Sequence, residues 1–165
     1  MISDDKSGMV RPYSLGVAIC VAILVVDLAS KILMEAWLLR SGQLVEFLPF
    51  LDLRLGYNTG VSFSLLSSQS LLMPWLLAAF AVAVSAYLYL RLRRTKSDLE
   101  ATWNGLIMGG ALGNAIDRLI DGAVTDFLDI HVGAFHWPTF NVADVAIVLG
   151  VGLALWVAFA ADQKS

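Results

Sequence analysis

Residues 14–33 read SLGVAICVAILVVDLASKIL, an apolar run of 20 residues that is long enough to cross the hydrocarbon core of a bilayer. The run exceeds the ~7 to 15 residues of a secretory signal core and lacks a small-residue cleavage pattern, so we expect a retained span. It contains Asp27 and, one helical turn later, Lys31. Because a charge inside a bilayer costs at least ~2.5 to 3.5 kcal/mol on insertion scales, this pair indicates a function.

The composition of the whole chain agrees with a membrane protein. Of its 165 residues, 58% are hydrophobic and 15% are charged, and the mean hydropathy is +0.74. Soluble domains have ~45 to 50% apolar and ~25% charged residues. We predict one integral membrane domain over residues 1–165. The net charge of −3 and the scattered basic residues give no sign of a nucleic-acid partner, and the single Cys20 excludes an internal disulfide.

Three further stretches, residues 71–92, 101–120 and 140–161, approach the length of a span. The stretch 101–120 is polar and rich in glycine, so we expect it to be buried among the other spans. Seven lysines and arginines border the spans on one side, against two to four on the other, which places both termini in the cytoplasm. The seven are Lys6, Arg11, Arg91, Arg93, Arg94, Lys96 and Lys164; the others are Arg40 and Arg54, with Lys31 and Arg118 at the membrane edge.

The segments 34–70 and 121–139 then lie outside the cytoplasm. Leu44–Leu66 contains alternating, β-favouring stretches broken at Pro49 and at Asn58–Gly60, which predicts a small antiparallel sheet. We predict an outer loop or helix for 121–139. The fold class is therefore an all-α membrane protein, a four-helix bundle with a small extracytoplasmic sheet. An interfacial aromatic belt is expected from Trp37, Phe47, Phe50, Tyr57, Phe135 and Trp137.

The rise of 1.5 Å per helical residue converts sequence position into depth and places Asp27, Asp117 and Asp144 in the outer third of a ~30 Å core. Asn58 and Asp126 lie in the outer segments, near enough to join them. The inner halves of the first, second and fourth spans contain no ionisable residue, which argues against a transport path. A small carrier that uses Asp117 and Arg118, or a structural membrane subunit, stays open as an alternative.

Several kinds of catalytic centre can be compared. Ser30 and Lys31 are neighbours on a helix and point ~100° apart, which disfavours a serine–lysine dyad. His131 and His136 lack a metal-ligand spacing, although a metal site built from the aspartates and His131 stays open. Two carboxylates in an apolar pocket share one proton, so together they can activate a water and protonate a leaving amine. Such a pair needs neither metal nor cofactor.

Asp144 is the favoured first member of such a pair, because it lies at the outer edge of a span with Asn141 one turn away. The second member is open between Asp117 and Asp126. Asp117 precedes Arg118, which suits an ion-paired structural role. Asp126 has no cation near it in sequence, so a neighbouring carboxylate can raise its proton affinity. The residues alone favour Asp126 without deciding the choice.

Five motifs, in order from residue 27 to residue 144, resemble those of the bacterial lipoprotein signal peptidases, the type II signal peptidases. Ser62 stands where that family usually has alanine. The motifs are Asp27–Lys31 (DLASK), Asn58–Phe63 (NTGVSF), Gly109–Arg118 (GGALGNAIDR), Val124–Phe127 (VTDF) and Phe140–Asp144 (FNVAD).

The resemblance implies an intramembrane aspartic endopeptidase of the bacterial inner membrane, working without metal or cofactor as a monomer. It implies prolipoprotein substrates, cleaved just before a cysteine that carries a diacylglyceryl group, with membrane lipids as further partners. The catalytic pair falls on Asp126 and Asp144. Supporting roles fall on Asn58, Gly60, Asn114, Arg118 and Asn141, and structural roles on Asp27, Lys31 and Asp117.

Overall fold

The computed structural model describes residues 7–60 and 72–163. Lys6, Ser62 and Lys164 lie outside these ranges, as do the second half of the Asn58–Phe63 motif and the start of the expected second span. The described elements are α1 (Ser7–Arg40), β1 (Leu44–Leu48), β2 (Leu51–Asn58), α2 (Met73–Leu92), α3 (Asp98–Asp121), β3 (Val124–Val132), β4 (Phe135–His136) and α4 (Val142–Asp162).

Three of these helices are long and apolar enough to cross a membrane, namely α1 over Arg11–Arg40, α2 over Met73–Leu92 and α4 over Val142–Ala160. Helix α1 continues past the expected end at Leu33, because no glycine or proline occurs between Leu33 and Gly42. Gly42 and Gln43 both adopt positive φ, at 86° and 70°, and so end the helix.

Helix α3 lies at the centre of the bundle and packs against α1, α2 and α4, which confirms the expectation that the polar span is buried. Its glycines allow this close approach. A Cβ placed on Gly109 would lie 2.7 Å from the carbonyl oxygen of Cys20 in α1, and one on Gly110 would overlap the carbonyl oxygen of Ala143 in α4. Small residues at helix contacts are how membrane helices bring their backbones together.

The ends of α3 carry standard capping signals. At the start, the hydroxyl of Ser97 accepts the backbone N–H of Glu100, with acidic side chains in the first turn. At the end, Gly122 adopts φ +72° and its N–H donates to the carbonyl of Arg118. Only a residue that tolerates a left-handed conformation fits there, and it turns the chain directly into β3.

The sheet is antiparallel with strand order β1-β2-β3-β4. The β1–β2 hairpin turns at Pro49–Phe50, as the sequence predicts. The prediction of a loop or helix for 121–139 is wrong, because β3 and β4 occupy most of this segment. Residues 124–132 are rich in β-branched and aromatic side chains, and β2 offers them an open edge.

The sheet is fixed to the helices by a small apolar core of Leu38 in α1, Leu53 in β2 and Phe127 in β3. Beside it, Leu128 of β3 bridges to Phe140, the residue that leads into α4. Strand β3 is thereby held between the end of α3 and the start of α4. The carboxylate of Asp126 on β3 is brought to the N-terminus of α4 by this arrangement.

Candidate active site

The first turn of α4 is closed by a reciprocal pair of hydrogen bonds between Asn141 and Asp144. The backbone N–H of Asp144 donates to Oδ1 of Asn141 at 3.0 Å, and the backbone N–H of Asn141 donates to Oδ2 of Asp144 at 3.2 Å. This is the geometry of a capping box, with Asn141 as the cap and Asp144 three residues later. The Asp144 carboxylate is therefore oriented by the backbone of its own helix.

The Asp126 carboxylate lies on β3, where its residue is only 2% exposed. Nδ2 of Asn141 donates to its Oδ1 at 2.7 Å, and Nδ2 of Asn58 donates to its Oδ2 at 3.2 Å. Asn58 is the last residue of β2, and its own Oδ1 accepts the N–H of Gly60 at 2.8 Å. Gly60 has φ +95°, a conformation that glycine adopts without strain.

Three asparagines present their amide nitrogens to the two carboxylates, because the amide oxygen of each is already occupied. Oδ1 of Asn58 accepts from Gly60, Oδ1 of Asn141 accepts from Asp144, and Oδ1 of Asn114 accepts from the ammonium of Lys31 at 2.9 Å. The remaining Nδ2 of Asn114 donates to Oδ1 of Asp144 at 2.8 Å. An amide has one acceptor and one donor end, so fixing its oxygen fixes its nitrogen.

Asp27, Lys31 and Asp117 form a buried cluster that adjoins Asn114. The ammonium of Lys31 lies 2.7 Å from Oδ2 of Asp27 and 2.9 Å from Oδ2 of Asp117. Each carboxylate also accepts a backbone N–H from another element, Asp27 from Ala143 at 2.8 Å and Asp117 from Thr125 at 3.2 Å. The cluster therefore ties α1 and α3 to the starts of α4 and β3.

This geometry corrects the expected partner of Asp117. Its cation is Lys31 of α1, not its sequence neighbour Arg118. Arg118 instead donates from Nη1 to the backbone carbonyl of Asn114 at 3.2 Å. Its buried Nε has no hydrogen-bond partner among the described residues. The guanidinium charge interacts with those of Asp144 and Asp126, which makes Arg118 the cation that faces the carboxylate pair.

The environment of Asp126 prepares it for acid–base chemistry. Burial, and secondly the charge of Asp144, raise the pKa of Asp126 from its ordinary 3.8 to about 6. The hydrogen bonds from Asn141 and Asn58 act in the opposite direction. Two interacting carboxylates titrate as a pair. Asp126 therefore keeps its proton to a higher pH than an ordinary carboxylate does, which suits water activation by a carboxylate pair.

Two cavities border the pair. One, of about 300 Å³, reaches Asp126, and the other, of about 630 Å³, reaches Asp144 and is otherwise mostly apolar. The first is lined by Gly56, Tyr57, Asn58, Thr59, Asp126, Pro138 and Thr139. The second lies beside α4 and is lined by Ile130, His131, Val132, Phe135, Trp137, Phe140, Asp144, Val145, Val148 and Leu149.

A contact that the sequence analysis missed joins Tyr57 of β2 to Glu35 of α1. The phenol donates to Oε1 of Glu35 at 2.5 Å, and this hydrogen bond raises the pKa of Tyr57 to about 12. The contact holds β2 to α1 immediately before Asn58. Glu35 lies one turn after Lys31 and Tyr57 adjoins Asn58, so helical spacing and adjacency were the available signals.

The remaining predicted alternatives can be compared with this geometry. The hydroxyl of Ser30 donates to the backbone carbonyl of Asp27 at 2.9 Å, which is the bond of a helix residue to its own turn and not part of a nucleophile. The imidazole of His131 lies 3.4 Å from Asp52, and its ring nitrogens form no hydrogen bond to either Asp126 or Asp144. Neither alternative therefore involves Asp126 or Asp144, which are joined through Asn141.

Comparison with known proteins identifies the family. A family model described as signal peptidase (SPase) II matches residues 19–160. The chain belongs to the signal peptidase II family. Members of this family are aspartic proteases that cleave lipoprotein signal peptides. The resemblance noted in the five sequence motifs is thereby confirmed, and the carrier and structural-subunit alternatives are replaced by a protease.

Relatives of the same family cover nearly the whole chain. The lipoprotein signal peptidase of Beijerinckia indica subsp. indica is 40% identical over 92% of both chains, and that of a Methylobacterium species is 44% identical over 86% of both. A bacterial membrane enzyme determined by the in meso method at 2.3 Å resolution superposes with a TM-score of 0.72, at 24% identity, over 90% of this chain and 88% of that one. This signal peptidase II chain therefore shares a membrane-enzyme fold.

Proposed function

We propose that the protein removes the signal peptide from diacylglyceryl-modified prolipoproteins, cutting just before the lipid-bearing cysteine, with Asp126 and Asp144 as its catalytic pair. One observation carries the assignment of the pair. A single buried side chain, Asn141, donates to Asp126 and accepts from the backbone of Asp144. The backbone N–H of the same residue donates to the Asp144 carboxylate, so Asn141 contacts both carboxylates.

Two other buried carboxylates near the pair, those of Asp27 and Asp117, contact other groups. Asp117 forms an ion pair with Lys31 and accepts from the backbone of Thr125, and Asp27 forms an ion pair with Lys31 and accepts from the backbone of Ala143. Both lie next to the ammonium of Lys31, an ion-paired setting that suits a structural role. Among the described residues Asp126 accepts hydrogen bonds from two amides and forms no direct ion pair, and its raised pKa suits a group that exchanges protons.

The chemistry follows from this pair. The ionised carboxylate takes a proton from a water held between the two, and the resulting hydroxide attacks the carbonyl carbon before the modified cysteine. The protonated carboxylate then gives its proton to the amine nitrogen as the carbon–nitrogen bond breaks. The Nε of Arg118, which has no partner among the described residues, is assigned to the substrate carbonyl oxygen. In this proposed mechanism the two carboxylates carry out every proton transfer of amide hydrolysis, so no metal or cofactor is needed.

The membrane arrangement is part of the same proposal. Residues 1–165 form one domain of four spans, α1 to α4, in the bacterial inner membrane, with both termini cytoplasmic and the sheet at the outer face. Helix α3 crosses as the polar, central span. Exposed aromatic side chains on the sheet and the outer end of α1 support contact with lipid headgroups; they are Trp37, Phe47, Phe50, Tyr57, Phe135 and Trp137.

The mostly apolar cavity beside α4 is assigned to the lipid-bearing part of the substrate. It runs along Val145, Val148 and Leu149 and ends at Asp144. Val148 and Leu149 are strongly exposed, so a groove on this face opens toward the bilayer in the proposed arrangement. An acyl chain can then remain among apolar groups while the scissile bond reaches the carboxylates. In this proposal one protein monomer binds the prolipoprotein substrate and contacts the membrane lipids.

The test is cleavage of a purified diacylglyceryl-modified precursor, followed by its mobility shift on a gel. Asp126→Asn and Asp144→Asn should each abolish cleavage while the protein remains folded. Asp117→Asn should lower both thermal stability and activity, because it leaves Lys31 with one carboxylate fewer. The matched control Asp98→Asn changes an exposed carboxylate at the start of α3 and should leave cleavage unchanged. Normal cleavage by either of the first two variants would refute the assigned pair.

A further inference from the structure

The sheet carries a second cluster of ionisable side chains that the proteolytic chemistry does not use. In the β2–β3 register Asp52 lies directly opposite Asp129, and these residues are only 7% and 1% exposed. Opposite residues of neighbouring antiparallel strands point to the same face, and like charges in such a pair are destabilising. Two buried carboxylates facing one another require compensating positive charge.

The compensation that the protein itself provides is incomplete. Nε of Arg54 lies 3.0 Å from Oδ2 of Asp129, and Nδ1 of His136 lies 2.9 Å from its Oδ1. Asp52 has His131 as a neighbour, with Nε2 3.4 Å from its Oδ1. Arg54 is the only permanent cation in this group of five. With both imidazoles neutral, two negative charges meet one positive charge.

His131 provides an independent sign that a component is missing. Both of its ring nitrogens are buried, and neither has a hydrogen-bond partner within residues 7–60 and 72–163. Its ring stacks on that of His136, with the centroids 5.0 Å apart. A buried imidazole normally places at least one nitrogen against a donor, an acceptor or a metal. The uncompensated charge and the unused imidazole nitrogens occur in the same cluster.

We propose that Asp52, Asp129 and His136 bind a divalent transition cation of the zinc class. One carboxylate oxygen from each aspartate and one ring nitrogen of His136 lie within 4.8 Å of one another. Two oxygens and one imidazole nitrogen suit Zn²⁺, whereas Mg²⁺ and Ca²⁺ prefer oxygen ligands throughout. Three protein ligands leave a position for water or for the imidazole of His131. The cation supplies the positive charge that the two carboxylates lack.

The proton of His136 must move when a metal binds at this site. A hydrogen bond from Nδ1 of His136 to the Asp129 carboxylate requires a proton on that nitrogen. The same nitrogen coordinates a metal only through its free electron pair, so in the neutral ring this proton passes to Nε2 as the ion binds. Arg54 can keep its contact with Oδ2 of Asp129 while Oδ1 turns to the ion.

The site is separate from the catalytic pair in chemistry but linked to it in structure. Asp129 follows Asp126 by three residues on β3, while Asp52 lies on β2 and His136 on β4. An ion held by all three strands fixes β3 from both sides. The expected effect is on the stability of the sheet, whereas cleavage well below the unfolding temperature proceeds without the ion.

The experiment uses the full chain in detergent micelles, stripped of metal with a chelator that is then removed. Added Zn²⁺ should bind at one ion per chain by calorimetry and raise the Tm by several degrees. His136→Gln should abolish the rise, whereas His136→Cys, which keeps a zinc ligand, should retain it. His136 is exposed, so both variants are expected to fold. Asp98→Asn, the same chemical change to an aspartate outside the sheet, should respond like the wild type.

Two results would overturn the proposal. One is a wild-type Tm that does not move with Zn²⁺. The other is an equal rise in wild type and His136→Gln, which would place the binding elsewhere. Because binding and Tm are measured without substrate, either result leaves the assignment of Asp126 and Asp144 unaffected.

Discussion

Replacing Asn141 by serine separates the two roles of this residue. A serine hydroxyl still accepts the N–H of Asp144, so the cap of α4 is retained. The hydroxyl cannot replace the amide nitrogen that donates to Asp126 at 2.7 Å. Asn141→Ser should therefore keep the helix and lose only the stability of that one hydrogen bond, while altering the protonation of the proposed catalytic pair.

The size of the effect follows from that hydrogen bond. A hydrogen bond to a charged group contributes about 1.5 to 3 kcal/mol, and 1.36 kcal/mol corresponds to one pH unit. The lost bond favours the ionised form of Asp126, so its removal raises the pKa of Asp126 above the wild-type value of about 6. The limb of the pH–activity profile nearest pH 6 should move upward by about one to two pH units.

The assay is kcat/KM for cleavage of the lipid-modified precursor across the pH range, together with thermal unfolding of each variant. Asn141→Ala is the matched comparison, since it removes the cap and the hydrogen bond together. It should show the same shift of the limb and an additional loss of about 1 kcal/mol of stability. An unmoved limb in Asn141→Ser would refute the reasoning, because Asn141 would then act only as a helix cap.

Two further predictions concern stability. The pKa of Asp126 is raised from 3.8 to about 6, so its contribution to stability is fully present below pH 3.8 and is lost, by about 3 kcal/mol, as the pH rises through 6. Asp126→Asn should remove that fall in thermal unfolding compared at pH 4 and pH 8, and an unchanged pH dependence would contradict the burial argument. Gly110→Ala should cost about 1 to 3 kcal/mol and reduce cleavage, because its Cβ meets the backbone of Ala143 and displaces α4. Gly152→Ala, with no atom within 4 Å of its Cβ, should be tolerated in both assays, and equal behaviour of the two glycine variants would contradict this packing.

The helices and the first hairpin were predictable because their signals are local. Span length, glycine spacing and the breaks at Pro49 and Asn58 all lie within the elements that they define. Strand β3 was not predicted, because its partner β2 precedes two entire helices in the sequence. An isolated stretch such as residues 124–132 gives no indication of the edge against which it pairs. Strand pairing over such distances is a tertiary property.

In the candidate site, too, local features were predictable from the sequence and tertiary contacts were not. The i, i+3 spacing of Asn141 and Asp144 predicted that they share a helix face. In the structure the two residues form a capping box. Local sequence could not separate Asp117 from Asp126, because the deciding cation, Lys31, comes from another helix. Nor could sequence orient the three amides, since each orientation depends on what holds its oxygen. The assignment of Asp126 and Asp144 stays a prediction for mutagenesis.

The cap of α4 also governs when activity can first appear. Asp144 reaches its position through the first turn of α4, while Asp126 and Asn58 belong to strands made earlier in synthesis. Ribosomes make the chain from its N-terminus, so α4, the last of the described helices, supplies the second carboxylate of the proposed pair. A nascent chain that has not yet inserted α4 therefore contains Asp126 without Asp144 beside it. With the proposed pair, the folding of α4 completes the site, and we expect a chain whose α4 has not yet inserted to cleave no peptide in the membrane.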